Sequence, residues 1–105
     1  MIKVRSIHNE KDEVCGFRIE GHAGYAKAGS DIICSAVSVL GLNTVNSVEA
    51  FTKDKFSCKQ TEDGFLEMIL TDEVSSESEL LLKSFFLGIQ GIVQEYGEKY
   101  VILLS

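Results

Sequence analysis

Apolar residues in this chain keep two different spacings, and the order in which those spacings alternate leaves few folds open. From Ser30 or Asp31 to about Thr52, Ile33, Val37, Leu40, Gly41, Thr44, Val45, Val48 and Phe51 gather on one stripe at 100° per residue. The helical spacing returns from Ser75 to about Tyr96. There Leu81, Leu82, Phe85, Phe86, Ile89, Ile92 and Val93 make a broad stripe, with Leu80 and Leu87 outside it. The other apolar residues come in short, mostly alternating runs. Ile2, Val4 and Ile7 mark a first strand. Val14 to Glu20 is a second, with Cys15, Phe17 and Ile19 on one side, and the polar stretch Asn9 to Glu13 turns between them. Phe56 to Gln60 and Phe65 to Thr71 form a second hairpin turned by Glu62-Asp63-Gly64, and Tyr100 to Leu104 is a last strand after the helix stop at Gly97. The few polar positions in Phe65 to Thr71 predict a central strand covered on both faces. The order strand-strand-helix-strand-strand-helix-strand predicts an α+β fold, a mixed sheet carrying two helices. A chain of 105 residues is read as one domain spanning 1–105.

The charge balance narrows the partners. Ten basic residues against sixteen acidic ones leave a formal charge of −6. That argues against direct nucleic-acid binding, which needs a basic face to displace counterions from phosphates, and suits a basic partner. The apolar runs look too short for a membrane span, and no charged start followed by an apolar core follows Met1, so the expected location is the cytoplasm. Three cysteines without tight spacing do not describe a secreted disulfide scaffold. Cys15 and Cys58 fall in strands and are expected in the core. There is no CxxC, His8 is isolated, and Gly21, Gly24 and Gly29 have the wrong spacing for a dinucleotide or phosphate loop. Neither a metal nor a cofactor is expected.

Chemistry concentrates between residues 21 and 38. Gly21 to Ser30 contains three glycines, three alanines and one large side chain, Tyr25, which is the composition of a loop. Ser30 or Asp31 can cap the helix that follows, and Cys34 lies in its first turn. A cysteine nucleophile must become a thiolate. Burial opposes that, whereas the unpaired N–H groups of a helix start favour it and can steady an oxyanion. His22, twelve positions earlier at the mouth of the loop, can accept the thiol proton if the loop folds back. Asp31 has two readings, a cap or a third member orienting His22. Ala23, Gly24, Tyr25, Gly29 and Ser30 form the substrate loop in this scheme, a segment expected to gate the site; Tyr25 either contacts substrate or packs on the domain.

The sequence Gly21-His22-Ala23, then Gly24, then Gly29-Ser30-Asp31-Ile32-Ile33-Cys34-Ser35-Ala36-Val37-Ser38 resembles the ribosomal-processing cysteine protease family, also called Prp. The likeness extends to a hairpin before the motif, a long helix after Cys34, a second hairpin, and a second helix ending in Gln94-Glu95-Tyr96. By that resemblance His22 and Cys34 are the catalytic pair and Asp31 matches the family's aspartate. One departure is Ser35, where many members carry alanine. The resemblance implies cleavage of a short N-terminal extension from the large-subunit ribosomal protein L twenty-seven, after a phenylalanine in an apolar-aromatic stretch.

Three function classes follow: a cysteine endopeptidase for that N-terminal peptide, a non-enzymatic ribosome-associated binding factor, and a thiol redox protein. The enzyme needs both Cys34 and His22, the binder needs neither, and a redox protein needs a resolving cysteine near Cys34. Leu80 and Leu87, off the main stripe of the second helix, predict a homodimer, unless that helix is sunk between sheet and first helix. The resemblance favours the dimer.

Overall fold

The computed structural model describes residues 1–24 and 31–105. Those residues form an α+β fold in the expected order: β1 (Ile2–His8), β2 (Val14–Glu20), α1 (Ile32–Phe51), β3 (Phe56–Gln60), β4 (Leu66–Leu70), α2 (Ser76–Tyr96) and β5 (Val101–Leu104). The strands make one mixed sheet in the order β3-β4-β2-β1-β5, in which only the β1–β5 pair is parallel. β2 therefore runs parallel to β3, and β4 to β5, with α1 and α2 as the two crossovers. One end of the sheet thus collects the end of β2, the starts of β1 and β4, and the end of β3.

Both helices lie on one face. Gly41 of α1 sits over β2 and β4, where a Cβ would come within 2.8 Å of Ile19 Cδ1 and Leu66 Cδ2, so a bare backbone lets the helix approach. Phe85 of α2 stacks on Phe17 of β2 with ring centroids 4.2 Å apart. The helices meet where Leu40 packs over Gly88. Val4, Phe17, Met68, Val37, Val48 and Ile89 are fully enclosed between these layers.

Several expectations are corrected. β4 is covered on one face only, its burial alternating along the strand. Among the described residues no helix lies on the opposite sheet face; Arg18 pairs there with Glu67, and Arg5 with Glu20. Cys58 is exposed, on the edge strand β3, whose residues after Phe56 are all exposed. Phe51 ends α1 at 74% exposure, and Leu40 is half-buried. α1 is long and apolar enough to cross a membrane, contrary to the reading of short apolar runs; its stripe from Ile33 to Val48 packs on the sheet as a core helix. α2 buries Leu82, Phe85 and Ile89 and leaves Leu80 and Leu87 exposed at 67% and 68%, so it is not sunk between sheet and first helix.

Candidate active site

The chain leaves β2 beside the start of β1, where Lys3 pairs with Glu20. Gly21 adopts φ +91°, and a Cβ there would lie 2.4 Å from the Met1 carbonyl oxygen, so only glycine makes this exit. His22 is exposed. Ala23 turns inward, 4% exposed, and its N–H donates to Cys34 Sγ at 3.3 Å. The loop is thus pinned to the helix start at its first residues, although its composition predicted no firm anchor. Gly24 is exposed at φ +71°. Tyr25, Gly29 and Ser30, and with them the gating expectation, lie outside the described residues.

Asp31, 5% exposed, is the N-cap of α1. Its Oδ1 accepts from Ile33 N at 2.9 Å and Cys34 N at 3.1 Å, and its carbonyl accepts from Ser35 N at 3.1 Å. The Asp31 side chain thus takes two of the helix-start N–H groups that the sequence reading offered to an oxyanion. The electrostatic expectation changes with it. Burial is the largest influence on the half-buried Cys34 thiol and pushes its pKa up. The Ala23 N–H opposes this, and the Asp31 carboxylate raises it further by its charge and by accepting a hydrogen bond from the thiol. The negative charge of the cap opposes a thiolate at Cys34.

His22 and Cys34 line one cleft of about 410 Å³, together with Gly21, Gly24, Asp31, Ser35 and Ser38 of the motif. Ile2, Ile19 and Val37 supply apolar wall. Glu62 and Gly64, in the β3–β4 turn, close one side. Sequence reasoning took these two for turn residues alone; nothing local in the sequence marks them as part of the cleft. Cys15 is buried in β2 and Cys58 exposed on β3, and neither lines the cleft. Among the described residues, no three His, Cys, Asp or Glu side chains gather at metal-binding distance.

The comparison with known proteins fits this geometry. Residues 1–101 match the family described as cysteine protease Prp. The chain belongs to that family. The ribosomal processing cysteine protease Prp of Staphylococcus aureus is 26% identical over 99 residues, covering 93% of both chains. The protein of that name from Bacillus subtilis is 24% identical over 103 residues, covering 93% of this chain and 92% of its own. The crystal structure of the S. aureus protease with a covalently linked product peptide superposes at a TM-score of 0.89, with 24% identity and full coverage of both chains. At that identity the superposition speaks for the fold. The family supports cysteine protease activity.

Proposed function

We propose that Cys34 is the nucleophile and His22 its general base, in an endopeptidase that trims the N-terminal extension of ribosomal protein L twenty-seven after a phenylalanine. The single observation carrying this reading is that His22 and Cys34, twelve residues apart, line one cleft in a chain of the cysteine protease Prp family. The names of the S. aureus and B. subtilis relatives support a ribosomal substrate.

The resting thiol is protonated, so catalysis starts with proton transfer. Cys34 Sγ passes its proton to His22 and attacks the carbonyl carbon of the phenylalanine. The carbonyl becomes an oxyanion, for which we assign the Ala23 N–H as donor. The oxyanion collapses, the C–N bond breaks, and His22 returns the proton to the departing amine, leaving a thioester. His22 then deprotonates a water molecule that attacks the thioester carbon, and the C–S bond breaks to restore the thiol. Asp31 caps α1 and adds to the burial that raises the thiol pKa.

The charge of −6 favours encounter with a basic ribosomal protein, and we place the reaction in the cytoplasm without direct contact to nucleic acid or membrane. The exposed Leu80 and Leu87 support a homodimer through α2, which light scattering tests. The deciding experiment incubates the purified protein with the L twenty-seven precursor and measures product mass. Loss of the extension, abolished in Cys34→Ala, is the expected result. An intact precursor with the unaltered protein overturns the protease reading in favour of a binding factor.

A further inference from the structure

We infer that Glu62, on the β3–β4 turn, is a specificity-determining residue: its carboxylate receives a lysine or arginine side chain of the substrate peptide, on the C-terminal side of the scissile bond. This rests on the reading of Cys34 and His22 as a catalytic pair.

The placement of the turn comes first. Thr61 N donates to the Phe65 carbonyl at 3.0 Å, which closes Glu62, Asp63 and Gly64 into a short loop. Gly64 has φ +87°, and a Cβ there would lie 2.9 Å from the Gly21 carbonyl oxygen and 3.2 Å from His22 Cε1. The turn therefore stands against the exit from β2 and against the imidazole ring. Glu62, two residues before Gly64, is exposed and lines the cleft that holds Cys34 and His22.

Charge then selects the ligand. The Asp31 carboxylate is buried and accepts from Ile33 N and Cys34 N. The Asp63 carboxylate accepts from Thr61 Oγ1. Glu62 has no such duty: among the described residues it makes no hydrogen bond or ion pair, and no lysine or arginine lines the cleft. A carboxylate on the wall of a peptide-binding cleft, with no partner from its own chain, takes a cation from the peptide and rejects a like charge at the same place.

The chemistry sets the side of the bond. His22 returns its proton to the departing amine, so the leaving half of the peptide runs past His22. The turn that carries Glu62 touches that ring. A basic side chain meeting Glu62 therefore belongs to the residues that follow the cleaved phenylalanine.

The test uses synthetic peptides with phenylalanine before the scissile bond and glutamine at the four positions after it. Lysine, then glutamate, replaces each glutamine in turn. kcat/KM is measured for the unaltered protein, Glu62→Gln, Glu62→Lys and Glu10→Gln; Glu10 is exposed in the β1–β2 turn, at the other end of the sheet. At one position the unaltered protein should prefer lysine over glutamine about two- to fivefold, the strength of an exposed charge pair. Added salt should shrink that preference. Glu62→Gln should abolish it, Glu62→Lys should transfer it to the glutamate peptide, and Glu10→Gln should leave it unchanged. No lysine preference at any position overturns the inference, as does a preference that survives in Glu62→Gln. So does a loss of rate in Glu62→Gln that is equal for every peptide, which a merely structural role of the turn would produce. If the unaltered protein cleaves none of these peptides, the protease reading falls, and their binding affinities decide the role of Glu62: a lysine preference lost in Glu62→Gln sustains it, and equal affinities overturn it.

Discussion

Asp31→Asn keeps a hydrogen-bonding oxygen at the start of α1 and removes its charge, which separates the two roles of this carboxylate. As a cap it satisfies Ile33 N and Cys34 N at a site 5% exposed. Removing a cap altogether costs about 0.5–2 kcal/mol, and two buried donors put Asp31→Ala near the upper end. At about 4–8 °C per kcal/mol for a domain near this size, Asp31→Ala should lower Tm by about 5–15 °C. Asparagine caps about as well as aspartate, so Asp31→Asn should stay within about 0.5 kcal/mol of the unaltered protein. As a neighbour of Cys34, the carboxylate raises the thiol pKa by charge and hydrogen bonding. Losing the charge should move the pH midpoint for alkylation of Cys34 by iodoacetamide downward, while burial, the larger influence, keeps it above that of a free cysteine. Peptide mapping is needed, because Cys58 is exposed and will also react. An alkylation midpoint that stays or moves upward, with Tm preserved, would falsify the contribution of the Asp31 carboxylate to the raised thiol pKa. A Tm as low as that of Asp31→Ala would show that the cap depends on charge instead of hydrogen-bond geometry.

His22→Ala should reduce kcat/KM about 10²–10⁴-fold at neutral pH without lowering Tm, since the side chain is exposed; near-full activity would assign the general base elsewhere. Gly16→Ala should destabilise by about 3 kcal/mol or more in urea unfolding, because a Cβ there would lie 2.0 Å from the Met68 carbonyl oxygen, backbone that cannot yield; a change below 1 kcal/mol refutes the close β2–β4 approach. Asp54 accepts from Ser75 N, Ser75 Oγ and Ser78 Oγ, joining the segment after α1 to the start of α2. Asp54→Ala should cost about 1–3 kcal/mol at neutral pH. The Ser75 and Ser78 hydroxyls hold the Asp54 carboxyl below its usual range. Its contribution is therefore full above the unfolded value of about 3.9 and lost as pH falls through the lower folded value. The difference between Asp54→Ala and the unaltered protein should shrink on acidification below about pH 4, and a constant difference there refutes the assignment.

Much of this architecture is written in periodicity. The shift between alternating and 3.6-residue spacing located all seven elements to within a residue or two, because each must bury one face and water enforces that pattern locally. Leu80 and Leu87 were legible as the residues left outside the packed stripe, for the same reason. Burial across layers was less legible. β4 reads as apolar on both sides, yet Ile69 and Glu67 look onto a face that no helix covers among the described residues. Cys58 reads as core by residue type, yet an edge position leaves it in solvent. Which face a helix covers, and how far along the sheet, depends on crossovers that bring distant segments together.

The candidate site divides in the same way. The glycine-rich exit from β2, the helix cap and the cysteine one turn later are local features, and the sequence by itself determined them: each rests on the conformational limits of a few neighbouring residues. Three things came only from the tertiary structure. Burial of Cys34, set by packing, is the largest influence raising its thiol pKa. The Ala23 N–H reaches the sulfur. The turn at Glu62-Asp63-Gly64 closes the cleft against His22 because β2 and β4 pair in one register. Electrostatics and register depend on which atoms lie within a few ångströms through space, and forty residues of sequence separate His22 from that turn.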